Sequence, residues 1–242
     1  MRTEAIPYDI AGSHYIGYLA VPDGDGTRPS VLIAHEGNGL GPQVKVRAHQ
    51  LAELGYVAFA VDYVGGGEVL PDMPSMMKKL GALRADIDHV RVLAKAGLAI
   101  LAARPEVDPS RIAAIGYCFG GTFVLELARS GADVQATVGF HAGLKTRDPG
   151  DARNIKGKIL ACTGADDPLV PAEDRAAFEQ EMRAAKVDWR HEIYGGAVHG
   201  FANPYAGALG NPAVAYHEPS HRRSWASMLG LFSETIGAPN TR

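Results

Sequence analysis

The sequence predicts an α/β protein, a mainly parallel sheet covered by helices on both faces. Short apolar runs rich in valine, isoleucine and alanine recur along the chain. Stretches with apolar residues at helical spacing follow most of them, and glycine- or proline-rich turns separate the two. Strands of a parallel sheet are buried on both faces, so they read as continuous apolar runs rather than as alternation.

Residues 15–21 and 30–35 have strand character, and the turn cluster Pro22-Asp23-Gly24-Asp25-Gly26 bounds the first. Residues 44–54 have a helical period and stop at Gly55, a common helix terminator. Residues 57–62 form another strand, and the glycine- and proline-rich segment 65–74 is expected as a loop. A long alanine- and leucine-rich helix is expected over 83–103, closed by Arg104-Pro105. A strand follows at 112–117, then a helix at 121–129 ending at Ser130-Gly131. The remaining strands are 136–140, 158–163 and 189–194, and the remaining helices 172–185 and 220–236. With no repeat and no low-complexity linker, residues 1–242 are expected to form one domain.

Composition narrows the function classes. Hydrophobic residues make up 46% and charged residues 21%, an ordinary globular balance. A chain of this length buries roughly 70–75% of its unfolded surface, so its stability needs neither disulfides nor metal. The net charge of −3, without a basic block, disfavours nucleic acid and anionic membranes as partners. Two cysteines, Cys118 and Cys162, fit a reducing compartment. The N-terminal residues lack the apolar centre of a signal peptide, and no apolar run approaches the ~20 residues of a membrane span. The expectation is a cytoplasmic protein, a monomer or small homo-oligomer, acting on a small molecule without metal or cofactor.

In a parallel sheet the ligand site lies beyond the carboxyl ends of the strands. After the 112–117 strand comes Gly116-Tyr117-Cys118-Phe119-Gly120-Gly121, a G-x-C-x-G frame. This is the nucleophile-elbow pattern of α/β-hydrolases with cysteine in place of serine. The elbow sets the nucleophile at the start of a helix, whose dipole favours a thiolate. Asp166-Asp167-Pro168 follows the 158–163 strand, and His199-Gly200-Phe201 follows the 189–194 strand. Nucleophile, acid and histidine thus occur in the chain order of an α/β-hydrolase triad. The histidine would take the thiol proton or hold it as an ion pair, and the acid would fix its tautomer and orientation.

Gly116-Tyr117-Cys118-Phe119-Gly120-Gly121, Asp167-Pro168-Leu169-Val170-Pro171, His199-Gly200-Phe201 and His35-Glu36-Gly37 together resemble the dienelactone hydrolase family, the carboxymethylenebutenolidase-like enzymes. The resemblance covers nearly the whole chain and implies hydrolysis of an ester or lactone through a thioester. It implies that Glu36 contacts the resting thiol and helps accept its proton. It also implies an oxyanion hole from the backbone N–H groups of Gly37 and Phe119. The family holds a substrate carboxylate with two arginines, and one of those positions is here Asn203. For the other, Lys78, Lys79 and Arg84 are stand-ins. Asn203, His141 and Phe201 are the expected substrate contacts.

Each residue has a blander reading. A free cysteine generally packs as a small hydrophobe, and Cys162, inside an apolar strand, is expected to do so. The G-x-x-D spacing from Gly164 that the family shows selects Asp167, leaving Asp166 as a turn residue. Gly37-Asn38-Gly39-Leu40-Gly41, with Asp62 ending the next strand, resembles a dinucleotide fingerprint. That motif needs a glycine where Pro42 stands, so an NAD(P)-binding oxidoreductase is the weaker alternative. A non-catalytic ligand-binding protein on the hydrolase fold is the other, and intact triad residues argue against it.

Overall fold

The computed structural model describes residues 1–207 and 210–237. Eight strands form one sheet, in the spatial order β1-β2-β4-β3-β5-β6-β7-β8. β3 (Arg28–Ala34), β4 (Val57–Val61), β5 (Val107–Tyr117), β6 (Ala136–Phe140), β7 (Lys158–Gly164) and β8 (Trp189–Tyr194) are parallel. β4 and β6 are buried at every position, which their unbroken apolar runs require.

Two further strands extend the sheet antiparallel at one edge. β2 (Ser13–Val21) pairs β4, and β1 (Arg2–Ile10) pairs β2 along its whole length. No apolar run marks residues 2–10 as a strand in the sequence. β1 is mostly exposed and polar, and it contains Pro7, which an edge strand tolerates because one side needs no ladder bond. Ala11 and Gly12 join the pair with φ of 49° and 78°, a tight hairpin that lacks the usual asparagine-glycine signal.

Helices cover both faces. α1 (Pro42–Glu53) and α6 (Glu218–Thr235) pack on one side, where Val44, Ala48 and Leu51 meet the cluster that holds Met228, Leu231 and Phe232. α2 (Met73–Ala85), α3 (Ile87–Ala102) and α4 (Phe119–Arg129) cover the other, joined by α5 (Ala172–Ala185) through Phe178 and Met182. Among the described residues, no helix is long and apolar enough to cross a membrane.

The expected single helix at 83–103 is instead the end of α2 and the whole of α3. Asp86 sits between them with φ −128° and ψ 78°, and its side chain accepts from the His89 amide. An aspartate that caps a new helix ends the previous one without glycine or proline. The expected loop at 65–74 likewise stops early, because Asp72 caps α2 and Pro74 fits its first turn.

A buried charge network ties α4 to its neighbours. The Arg129 guanidinium donates twice to Glu181 at 2.8 Å and once to Glu126 at 3.0 Å. Arg91 of α3 reaches the other Glu126 oxygen. Arg129→Met would leave Glu181 buried without its cation, and losing one partner of such a pair typically costs about 3–5 kcal/mol. Urea unfolding is expected to show a loss of that size, and a loss below about 1 kcal/mol would contradict it.

Candidate active site

α4 comes so close to the sheet that the turn before it has no room for side chains. A Cβ on Gly116 would lie 2.0 Å from the Gly120 carbonyl oxygen, and one on Gly120 would lie 2.2 Å from that of His35. Cys118, between them, is held at φ 55° and ψ −121°. That region costs a residue with a side chain about 1–3 kcal/mol, and surrounding structure must impose it. The turn leaves the thiol half-buried at the start of α4, on a cavity of about 500 Å³.

His199 also borders that cavity. Its Nδ1–H donates to Asp167 Oδ2 at 2.8 Å, and Asp167 Oδ1 accepts from the Leu169 amide at 2.8 Å. Asp167 is buried and Asp166 exposed. With Nδ1 committed to Asp167, Nε2 is the nitrogen left to act, and it has no other protein partner of good geometry. Burial alone would lower the His199 pKa, but the Cys118 sulfur and Asp167 override it and raise it to about 10. Cys118, His199 and Asp167 are thus brought together as a thiol, an imidazole and an orienting carboxylate.

Gly37 follows β3, the strand beside β5, and Leu80 presses on it so that a Cβ would meet Leu80 Cδ1 at 2.6 Å. Neither the Gly37 nor the Phe119 amide donates to a backbone acceptor among the described residues. Phe119 lines the cavity next to Cys118.

Glu36 departs from expectation. It makes no hydrogen bond to the Cys118 thiol; its Oε2 accepts from Asn203 Nδ2 at 2.7 Å. Burial raises its pKa, against the lowering effects of Asn203, His199 and Arg47. Asn203 also accepts from the Tyr205 amide, and with Glu36 it lines a second, smaller cavity of about 170 Å³. It is thus no part of the cavity at Cys118, because its amide has a carboxylate partner to satisfy. Phe201 is fully buried between Tyr194 and His141, each 5.4 Å away ring to ring. His141 is fully buried as well. None of the three expected substrate contacts borders the larger cavity.

Its rim instead includes Arg84 of α2, with Lys145 and Arg147 opposite. Lys145 pairs with Asp174, and Arg147 with Asp88 through two bonds of 2.9 Å. Arg84 lies 5.7 Å from the Phe119 ring centre and has no ion pair among the described residues. Cys162 is buried in β7, and burial pushes its thiol pKa far up. Asp62, which the dinucleotide motif would place on a ribose, is wholly buried and accepts from the amides of Ile16, Val64, Gly65 and Gly67. Those bonds fold the loop over β4 and leave no free oxygen for a ligand.

The chain is similar to known proteins over most of its length. A sequence model described as "Dienelactone hydrolase family" matches residues 16–236. A Synechocystis sp. protein named "Putative carboxymethylenebutenolidase" is 29% identical over 91% of this chain and 92% of its own. A solved structure titled "m3DLH" superposes with a TM-score of 0.93 at 43% identity, covering 96% of this chain and 98% of its own. Another, titled as a dienelactone hydrolase-like promiscuous phosphotriesterase from metagenomic libraries, has the same TM-score at 42% identity and the same coverage.

The charges around His199 set a titration test. Negative neighbours favour the imidazolium, so removing either one lowers the pKa. By ¹⁵N NMR of the reduced protein, the His199 ring is expected to hold its second proton up to about pH 10. In Cys118→Ala and in Asp167→Asn the midpoint is expected to fall. An unchanged midpoint in both would contradict the geometry.

Proposed function

Because this chain belongs to the dienelactone hydrolase family, whose members hydrolyse lactones and esters, we propose that Cys118 is its nucleophile, activated by His199 and Asp167. The observation that supports this best is the strained thiol on the large cavity, with His199 beside it and Asp167 on the far ring nitrogen. The substrate carbonyl oxygen would point at the Gly37 and Phe119 amides. The Cys118 proton rests on His199 Nε2, and the thiolate sulfur attacks the carbonyl carbon. The two amides stabilise the oxyanion. As the C–O bond breaks, His199 returns the proton to the leaving oxygen, giving an alcohol and a thioester. For a lactone the alcohol stays attached to the acyl chain. His199 then takes a proton from water, whose oxygen attacks the thioester. The acid leaves, and the proton stays on His199 beside the restored thiolate.

Arg84 supports an anionic substrate. It lines the cavity without an ion pair among the described residues, and a substrate carboxylate there would meet it over the Phe119 ring. The size of the cavity also leaves space for neutral esters, and the similarity to a phosphotriesterase adds neutral phosphotriesters to the substrates to be screened. Cys118 and Cys162 are both unpaired, which supports a reducing, cytoplasmic location.

Three variants test the mechanism. Cys118→Ala is expected to abolish ester and lactone turnover with the melting temperature nearly unchanged, and retained turnover would refute the nucleophile. Asp167→Asn is expected to lose about 10⁴ in turnover, as loss of the orienting acid does in serine proteases, whereas Asp166→Asn loses less than about tenfold. The reverse ranking would refute the acid.

Specificity has its own test. A charge-assisted hydrogen bond contributes about 1.5–3 kcal/mol, so Arg84→Gln is expected to cost about 10- to 150-fold in kcat/KM for a carboxylate-bearing lactone. The neutral methyl ester of that lactone is expected to be spared. Equal losses on both substrates would remove Arg84 from anion recognition.

A further inference from the structure

His141 follows β6 and is wholly buried beneath the site, yet its backbone sits at φ 40°, a conformation uncommon for a residue with a side chain. The Cys118 amide donates to two acceptors, the Phe140 carbonyl at 3.0 Å and His141 Nδ1 at 3.1 Å. Two strained residues on neighbouring strand ends are therefore joined by one bond. An N–H aimed at Nδ1 requires a lone pair there. In a neutral ring the hydrogen is then on Nε2. That nitrogen is buried with no hydrogen-bond partner, and Glu36 Oε1 stands 3.9 Å away. Closing that gap to a hydrogen bond takes a shift of about 1 Å in the Glu36 side chain.

We propose that His141, neutral and protonated on Nε2, is a positioning residue that ties the backbone of Cys118 to the carboxylate of Glu36. Asn203 donates to one Glu36 oxygen, and His141 Nε2 faces the other at 3.9 Å. The ring cannot swap roles, because reversing the tautomer would set two hydrogens against each other at the Cys118 amide. Burial, with the positive charges of His199 and Arg47, keeps the ring neutral. His199 stands edge to face with it at 5.1 Å between centres. The groups that face Glu36 are thus His141, His199, Asn203 and Arg47, and the Tyr63 hydroxyl feels the charges of both Glu36 and Cys118. Held as a carboxylate, Glu36 places a fixed negative charge behind the Cys118–His199 pair. This role rests on the reading of Cys118 as the nucleophile, but the tautomer does not.

The two halves of His141 can be removed separately. His141→Asn keeps an acceptor at the Nδ1 position and tolerates the left-handed backbone, but its amide is too short to reach Glu36. His141→Gln keeps a donor at the Nε2 position and loses the acceptor. The readout is the pH profile of Cys118 alkylation by iodoacetamide, with melting temperatures to confirm folding. Glu36→Gln is expected to move the rising limb of that profile down by about one pH unit, because a negative charge near the sulfur is gone. His141→Asn is expected to move it likewise, and His141→Gln is expected to keep the wild-type profile. A shift in Glu36→Gln without one in His141→Asn overturns the proposal, and so does an unmoved profile in Glu36→Gln. In Cys118→Ala, ¹⁵N NMR is expected to show His141 as the neutral Nε2–H form from pH 5 to 9 (a window spanning the usual histidine range). The opposite tautomer, or a titrating ring, overturns the proposal whatever the fate of the nucleophile.

Discussion

The approach of α4 to the ends of β3 and β5 is the constraint on which the site depends. Gly120 lies against the carbonyls of Ala34 and His35, and Gly116 lies against the backbone of Gly120. At those separations no methyl group fits, so the backbone must turn within one residue. Cys118 takes that turn and receives a positive φ that it would not adopt freely. The same turn exposes its sulfur to the large cavity and leaves the Phe119 amide without a backbone acceptor among the described residues. It also aims the Cys118 N–H back at Phe140 and His141. Strain stored here is offset by the packing of α4, which is buried along nearly its whole length.

Charge is arranged in two layers around this turn. Beside the cavity, Asp167 is buried and satisfied by His199 and the Leu169 amide, so its charge is fixed where the imidazolium needs it. Behind it, Glu36 is held by Asn203 near Arg47, whose guanidinium donates to the Ala202 carbonyl and stacks against Trp225 at 5.1 Å. Low dielectric strengthens each of these interactions and makes any unpaired member costly. The two layers meet at His199 and His141, whose rings touch edge to face. Asp62 does comparable work for the backbone by collecting four amides into the loop that follows β4.

The parallel strands were legible in the sequence because burial on both faces leaves an apolar run that nothing else explains. β1 was not, because an exposed edge strand carries no such run and its turn uses Ala11 rather than asparagine. The break at Asp86 escaped notice because the alanine- and leucine-rich period continues across it. In the site, Cys118, Asp167 and His199 were legible because glycines and strand ends mark local geometry. The surroundings were not. Whether Asn203 faces a substrate or Glu36 depends on a contact between residues far apart in sequence, and so does the placing of Arg84 on the cavity rim. The positive φ of His141 carries only a weak sequence signal, since histidine is enriched there but still uncommon.

The central claim is a covalent one, that the acyl group of the substrate passes through the Cys118 sulfur. Rapid acid quenching of the enzyme with a slowly released ester, followed by intact mass and peptide mapping, tests it directly. An adduct of the acyl mass is expected on the peptide that contains Cys118, appearing within the first turnover and decaying as the acid is released. Acyl mass on another residue, or steady turnover while Cys118 stays unmodified throughout, would contradict it.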